Sequence, residues 1–124
     1  MGVRPALVPG LGSSYLLRPV SDVNFDVELL EDPTGARLTG ELDLAAYEAA
    51  ERALASLFEA TDDVVLDVSR LEFVDSSGIR LFIRLHQALG ENGSLILRSP
   101  TEHVARVLEI AGLPALGVKI EDGG

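Results

Sequence analysis

The chain predicts an α/β fold, a mixed β-sheet of four to five strands with three or more α-helices. Three observations carry that reading. Two apolar runs of period two flank a Pro-Gly turn. Runs of strand length then alternate with runs of helical period, which implies a largely parallel sheet entered through a hairpin. Acids or hydroxyls stand at the starts of the helical runs, where free backbone N–H groups need acceptors.

The body begins near Asn24. Phe25, Val27 and Leu29 alternate with Asp26, Glu28 and Leu30. Asp32-Pro33-Thr34-Gly35 fits a type I turn, with Asp first, Pro second and Gly fourth. Ala36, Leu38, Gly40 and Leu42 then alternate with Arg37, Thr39, Glu41 and Asp43, so the two runs form an antiparallel hairpin. Asp43 ends the second strand and caps a helix expected near 44–60. Leu44, Tyr47, Leu54, Leu57 and Phe58 share its inward face. Val64-Val65-Leu66-Asp67-Val68 is almost continuously apolar, as in a strand covered on both faces. Asp75–Gly78 leads into a second helix over 76–89, ending near Gly90, with Ser76 placed as its cap. Phe82, Leu85 and Leu89 centre its apolar arc.

Ser94-Leu95-Ile96-Leu97-Arg98 is a further strand. Ser99-Pro100-Thr101-Glu102 reads as a capping box with Pro at the first helical position. The third helix, near 100–111, turns Val104, Val107, Leu108 and Ala111 inward. Gly112 suits its C-terminal cap, and Val118 and Ile120 make a last short strand. Residues 1–23 read as an N-terminal extension, flexible or adding a short edge strand at Tyr15-Leu16-Leu17, because Pro5, Pro9, Gly10 and Gly12 break any period. Gly10-Leu11-Gly12 lacks the rest of a nucleotide-binding pattern. The single domain is therefore 24–122.

Composition narrows the function. The 124 residues suffice for one core, and 47% are hydrophobic, so the chain is globular. A net charge of −10 argues against direct contact with nucleic acid or anionic membrane, both of which need basic surface. The absence of Cys rules out disulfides and Cys-ligated metal and is compatible with a reducing compartment. No run approaches the ~20 apolar residues that span a bilayer.

The most informative segment is Phe73-Val74-Asp75-Ser76-Ser77-Gly78. An apolar strand ends, an acid and two hydroxyls follow, and a helix begins. That arrangement serves a plain helix cap first, and it also presents a hydroxyl beside an acid, a place to add or remove a phosphate. Asp43 and Asp75 follow parallel strands and are expected on one rim, where loops of such sheets carry function. On the second helix, Arg80, Arg84 and Gln87 form a polar strip bordered by Ile79 and Ile83. The border is either a partner surface or a widened core contact.

Catalytic and metal-binding residues are expected to be none. His86 lies ten residues beyond Ser76 on one helix, about 15 Å along it, too far to act as its base. Neither His86 nor His103 belongs to a metal-ligand cluster.

Val64–Val68, the Asp75-Ser76-Ser77-Gly78 element and the Gly40-Glu41-Leu42-Asp43 strand end together resemble the STAS domain of anti-sigma factor antagonists, over residues 24–122. The resemblance implies a cytoplasmic regulator that is not an enzyme and uses no cofactor. It implies phosphorylation at Ser76 by an anti-sigma factor serine kinase. In the unphosphorylated form the protein binds that kinase and so releases the sigma factor, and a phosphatase resets the cycle. Partner contacts are then expected at Asp43, Asp75, Ser77, Gly78, Ile79, Arg80, Ile83 and Arg84, on a monomer or weak dimer. The alternative within the family is a scaffold, or an accessory subunit of a stressosome or of a lipid or anion transporter complex, without a phospho-switch.

Overall fold

The computed structural model describes residues 24–122. The expected extension over 1–23 lies outside them. The order is β1 (Phe25–Glu31), β2 (Thr34–Leu42), a 3₁₀ turn at Leu44–Ala46, α1 (Tyr47–Ala53), a second 3₁₀ segment at Ala55–Glu59, and β3 (Val64–Val74). Then come α2 (Ser76–Leu89), β4 (Leu95–Arg98), α3 (Glu102–Ile110), α4 (Leu113–Leu116) and β5 (Lys119–Glu121). The strands lie side by side in sequence order. Among the described residues only the β1–β2 pair is antiparallel; β2 to β5 run parallel. The expected mixed sheet is present with five strands.

Because each parallel strand steps to the same side of its predecessor, right-handed crossovers place every helix on one face. One buried cluster accordingly joins Ala36, Leu38 and Leu42 of β2, Val64, Leu66 and Val68 of β3, and Leu95 and Leu97 of β4 to Phe82, Leu85, Leu89, Val104 and Leu108 of the helices. Val64–Val68 is expected to be covered on both faces; Val64, Leu66 and Val68 join the cluster beneath the helices, and Val65, also buried, stands outside that cluster on the other face.

Several local expectations shift. The register pairs Glu31 with Thr34, so the hairpin loop is Asp32-Pro33 rather than a turn closing at Gly35. The helix expected near 44–60 is divided. Ala46 and Ala50 pack inward with Leu54 and Leu57, while Leu44 is 75% exposed. The tighter 3₁₀ geometry after Leu54 keeps Leu54 and Leu57, three apart, on one side. α3 is capped by Thr101, whose Oγ1 accepts from Val104 N at 3.2 Å. Ser99 instead takes a left-handed conformation (φ 62°) and donates its N–H to Glu121 O, so Pro100 precedes the helix rather than starting it. Ala111 is exposed beyond the last turn of α3. The short α4 went unforeseen, its four residues being too few to show a period.

The face opposite the helices carries an unbroken row of alternating charge. Cross-strand register aligns Glu28, Arg37, Asp67, Arg98 and Glu121 on five successive strands. Arg37 bonds Glu28 at 3.1 Å and Asp67 at 3.2 Å, and Arg98 bonds Glu121 at 2.7 Å. Opposite charges directly across a strand pair stabilise that register, whereas a one-residue slip would move them to the apolar face. Burial pushes the Asp67 carboxyl up, but bonds from the Ser69 hydroxyl and amide and from Arg37 outweigh it and hold the group below its ordinary value.

Folded Asp67 therefore releases its proton more readily than it does in the unfolded chain. Its contribution is complete above the unfolded value of about 3.9 and is lost as pH falls through the lower folded value. Asp67→Asn is expected to cost about 1 kcal/mol at neutral pH, since the pair is partly solvent-screened. The deficit relative to wild type should shrink as pH falls below about 4. Urea midpoints measured at neutral and at acid pH test it, and a deficit independent of pH would show that the carboxylate charge is not what stabilises the row.

Candidate functional site

The site is built where β2 and β3 end. Leu42 pairs with Val74 as the last register step of the two parallel strands, and Asp75 N donates to Leu42 O at 3.2 Å. Asp43 and Asp75 thus leave the sheet side by side, on the rim anticipated for them. Asp43 turns its carboxylate onto the 3₁₀ segment, accepting from Ala46 N at 3.1 Å. Asp75, in extended conformation, accepts from Ser77 N at 2.8 Å and Gly78 N at 3.3 Å. Each acid satisfies donors that the first turn leaves free.

This corrects the expectation that Ser76 is the cap. Asp75 occupies that position and Ser76 is the first helical residue, with its side chain exposed. Ser77, next in sequence, is 8% exposed. A single helical step therefore separates a hydroxyl open to a partner from one turned inward.

Gly78 sets how closely α2 approaches the strand ends. A Cβ there would lie 2.5 Å from Val74 Cγ2 and 2.9 Å from Leu42 O. Gly40 has a parallel role in the Gly40-Glu41-Leu42-Asp43 element. Its φ is +103°, and a Cβ would meet Asn24 O at 2.2 Å, where Asn24 accepts from Glu41 N. A shift in the β2–β3 register falls between Gly40 and Glu41. Both motif glycines are thus close-approach positions that aim the two acids.

The polar strip of α2 divides in two. Arg80 is exposed and makes no ion pair among the described residues. Arg84 is committed to α1: it bonds Glu51 and the Tyr47 hydroxyl and lies 5.7 Å from the Phe58 ring centroid. Glu51, then Tyr47, push its guanidinium further above its ordinary value. Ile79 is in the core and Ile83 packs partly against it. The border residues therefore widen the core contact, and Arg80 is the outward member of the strip. Leu44, expected inward, stands exposed one residue beyond Asp43. The Ala46–Ala50 spacing was the signal, since small residues mark a closely packed face.

The histidines are otherwise occupied. His86 Nε2 lies 2.8 Å from Leu116 O, tying α2 to α4, and His103 stacks on Phe73 with centroids 6.5 Å apart. Since a carbonyl only accepts, the hydrogen resides on Nε2. Among the described residues no group of His, Cys, Asp and Glu is placed to hold a metal ion. No described helix is long and apolar enough to cross a membrane.

Comparison with known proteins aligns with this geometry. The STAS domain family model matches residues 24–122. An anti-sigma-B factor antagonist of Staphylococcus epidermidis is 29% identical over 98 residues, covering 76% of this chain and 91% of that protein. An anti-sigma-B factor antagonist of Bacillus subtilis is 26% identical over 93 residues, covering 74% and 85%. The anti-sigma factor antagonist SpoIIAA in its unphosphorylated form superposes with a TM-score of 0.59 at 26% identity, covering 81% of this chain and 89% of that one. The phosphorylated form of SpoIIAA superposes with the same TM-score at 25% identity, covering 81% and 91%.

Two substitutions test how the rim is assembled. Gly78→Ala must displace Val74 or Leu42 and is expected to cost about 1–3 kcal/mol, the range for overpacking. Asp75→Ala loses the cap and should cost about 1 kcal/mol, whereas Asp75→Asn, an equally good cap, should cost a few tenths. Denaturant midpoints give all three. Equal losses for Asp75→Ala and Asp75→Asn would mean that charge, not hydrogen bonding, is what the helix start requires.

Proposed function

The chain belongs to the STAS domain family, and on that premise we propose that it is an anti-sigma factor antagonist switched by phosphorylation of Ser76. The observation that carries this reading is the contrast at the start of α2. Ser76 is exposed directly after Asp75, and Ser77 is turned inward. A kinase must reach the hydroxyl it modifies, and Ser76 is the reachable one. The unphosphorylated protein binds an anti-sigma factor serine kinase through the rim and the outward side of α2, releasing the sigma factor. A phosphatase restores the binding form.

The physics of the switch is local. A phosphate adds about −1.5 to −2 charges and three strong acceptors. At the first residue of a helix the dipole and free N–H groups favour an anion, so the fold persists. The partner, shaped for a neutral hydroxyl, would instead meet a dianion beside Asp75 and Asp43. Misplaced like charge at an interface costs several kcal/mol, and each 1.4 kcal/mol is tenfold in affinity. A hundredfold switch therefore needs no refolding. The protein acts as a binding module rather than an enzyme: its imidazoles are engaged with Leu116 and Phe73.

Incubation with an anti-sigma factor kinase and ATP should add one phosphate, mapped to Ser76 by mass spectrometry and absent from Ser76→Ala. That variant loses no capping bond, so it should stay folded and keep its affinity. Ser76→Asp should fold but bind at least about tenfold more weakly, a loss of about 1.4 kcal/mol. Arg80→Glu should weaken binding without lowering stability; Arg84→Glu would break the tie to α1 and is the poorer probe. Titration calorimetry against the kinase reads these affinities. Equal binding by wild type and Ser76→Asp would favour a STAS scaffold or accessory subunit without a phospho-switch.

A further inference from the structure

We propose that β5 is a self-complementary sheet edge, through which two copies of this chain pair antiparallel across a two-fold axis at Ile120. The pairing does not rest on the phospho-switch. Backbone direction, charge and the choice of register each support it.

Among the described residues β5 is the outer strand of the sheet beyond β4. Ser99 N–H donates to Glu121 O at 2.6 Å, so Glu121 turns its backbone groups towards β4. In a parallel ladder the N–H and C=O of one residue point to the same side, and successive residues alternate. Lys119 therefore faces β4 together with Glu121. Ile120, between them, directs its N–H and C=O outward, and neither has a backbone partner among the described residues. Two such residues opposed across a two-fold axis exchange both N–H···O=C bonds, which is the hydrogen-bonded pair of an antiparallel ladder.

Charge matches that register. With Ile120 opposite its own copy, Lys119 stands opposite Glu121 of the second copy, and Glu121 opposite Lys119 of the second copy. Both side chains lie on the charged face of the sheet, because residues two apart share a face. Lys119 is exposed and makes no ion pair among the described residues. Glu121, bonded to Arg98 at 2.7 Å, ends the row of alternating charge, and Lys119 of the second copy continues its alternation by one step. Opposite charges directly across an antiparallel pair stabilise it, and like charges destabilise it. The adjacent symmetric registers, centred on Lys119 or on Glu121, set Lys against Lys or Glu against Glu. A register centred between two residues sets the charged face against the helical face. Ile120 alone satisfies both conditions.

A lysine on an outer strand ordinarily blunts the edge against foreign strands. Here the same short strand carries its counter-ion at the symmetry-related place, so the edge selects its own copy. α4 packs against β5 and leaves Leu116 50% exposed, which adds apolar surface next to this edge. Three residues bury little area, and two copies of net charge −10 repel each other, so the dimer is weak. Across the axis the strands run in opposite directions, so the two Asp43–Asp75 rims point apart.

Sedimentation equilibrium of the full chain, at constant ionic strength and up to about 1 mM, should show a monomer–dimer equilibrium. The Ile120 amide signal should shift with concentration in ¹⁵N NMR. Lys119→Glu and Glu121→Lys should each raise the dimer Kd at least about tenfold, the first by setting acid on acid, the second by setting base on base. The two changes move net charge in opposite directions, so general repulsion accounts for one at most. An equimolar mixture of the two variants should dimerise again, since each then meets its opposite at both positions. Circular dichroism and urea midpoints check the fold, and Lys119→Glu carries the test by itself if loss of the Arg98 bond unfolds Glu121→Lys. A monomer at every concentration, a dimer indifferent to Lys119→Glu, or shifts centred on β1 instead of Ile120 would overturn the pairing. None of these readouts uses the kinase, so failure here leaves the phospho-switch standing.

Discussion

The packing of the first turn of α2 onto the paired ends of β2 and β3 is the constraint on which the site depends. Leu42 and Val74 are the last aligned residues of the two strands, and Gly78 rests against both. With no side chain at 78, the helix start descends far enough for the Asp75 carboxylate to reach two amides of its own first turn. The same descent turns Ser77 inward and leaves Ser76 outward. A larger residue at 78 would lift the helix and change which hydroxyl faces solvent. The accessibility of Ser76 is thus a consequence of the close approach at Gly78, two residues along the chain, not of the serine itself.

The two faces of the sheet divide the work of specification. The helical face supplies one continuous apolar cluster, which is non-directional and tolerates rearrangement. The opposite face supplies direction: a row of alternating charges that is satisfied in one register only. Each exposed pair is worth little alone, but a one-residue slip of any strand would turn its charge to the apolar face and break its pairing with every neighbour. Register matters here because Asp43 and Asp75 meet at the rim only if β2 and β3 stop level with each other.

Electrostatically the rim is arranged so that a change of charge alters recognition more than folding. Its acids are placed at helix starts, where backbone N–H groups neutralise them. An additional anion at Ser76 would share that favourable field within the molecule while presenting its charge outward. Arg84 is withheld from the outward surface by Glu51 and Tyr47, so it holds α1 and α2 together and leaves Arg80 as the cationic feature of that side.

The sequence alone determined the succession of elements, because periods of two and of about 3.6 residues survive in one dimension, and it determined the Asp-Ser-Ser-Gly element and its upstream partner because both end strands. It fixed the core of α2 through Phe82, Leu85 and Leu89, all fully buried. What it left undecided were choices between neighbours. Asp75 and Ser76 are both good capping residues, and only the extended backbone at 75 selects between them. Leu44 fits an inward stripe if the helix starts at once, and a 3₁₀ turn, set by the Asp43 cap, rotates it outward. Arg80 and Arg84 are equivalent on a helical wheel, yet α1 captures one and leaves the other. The placing of the described helices on one face of the sheet depends on the side to which each strand steps, which no local pattern encodes. In every such case the deciding interaction joins residues distant in sequence, so it exists only once the chain has closed upon itself.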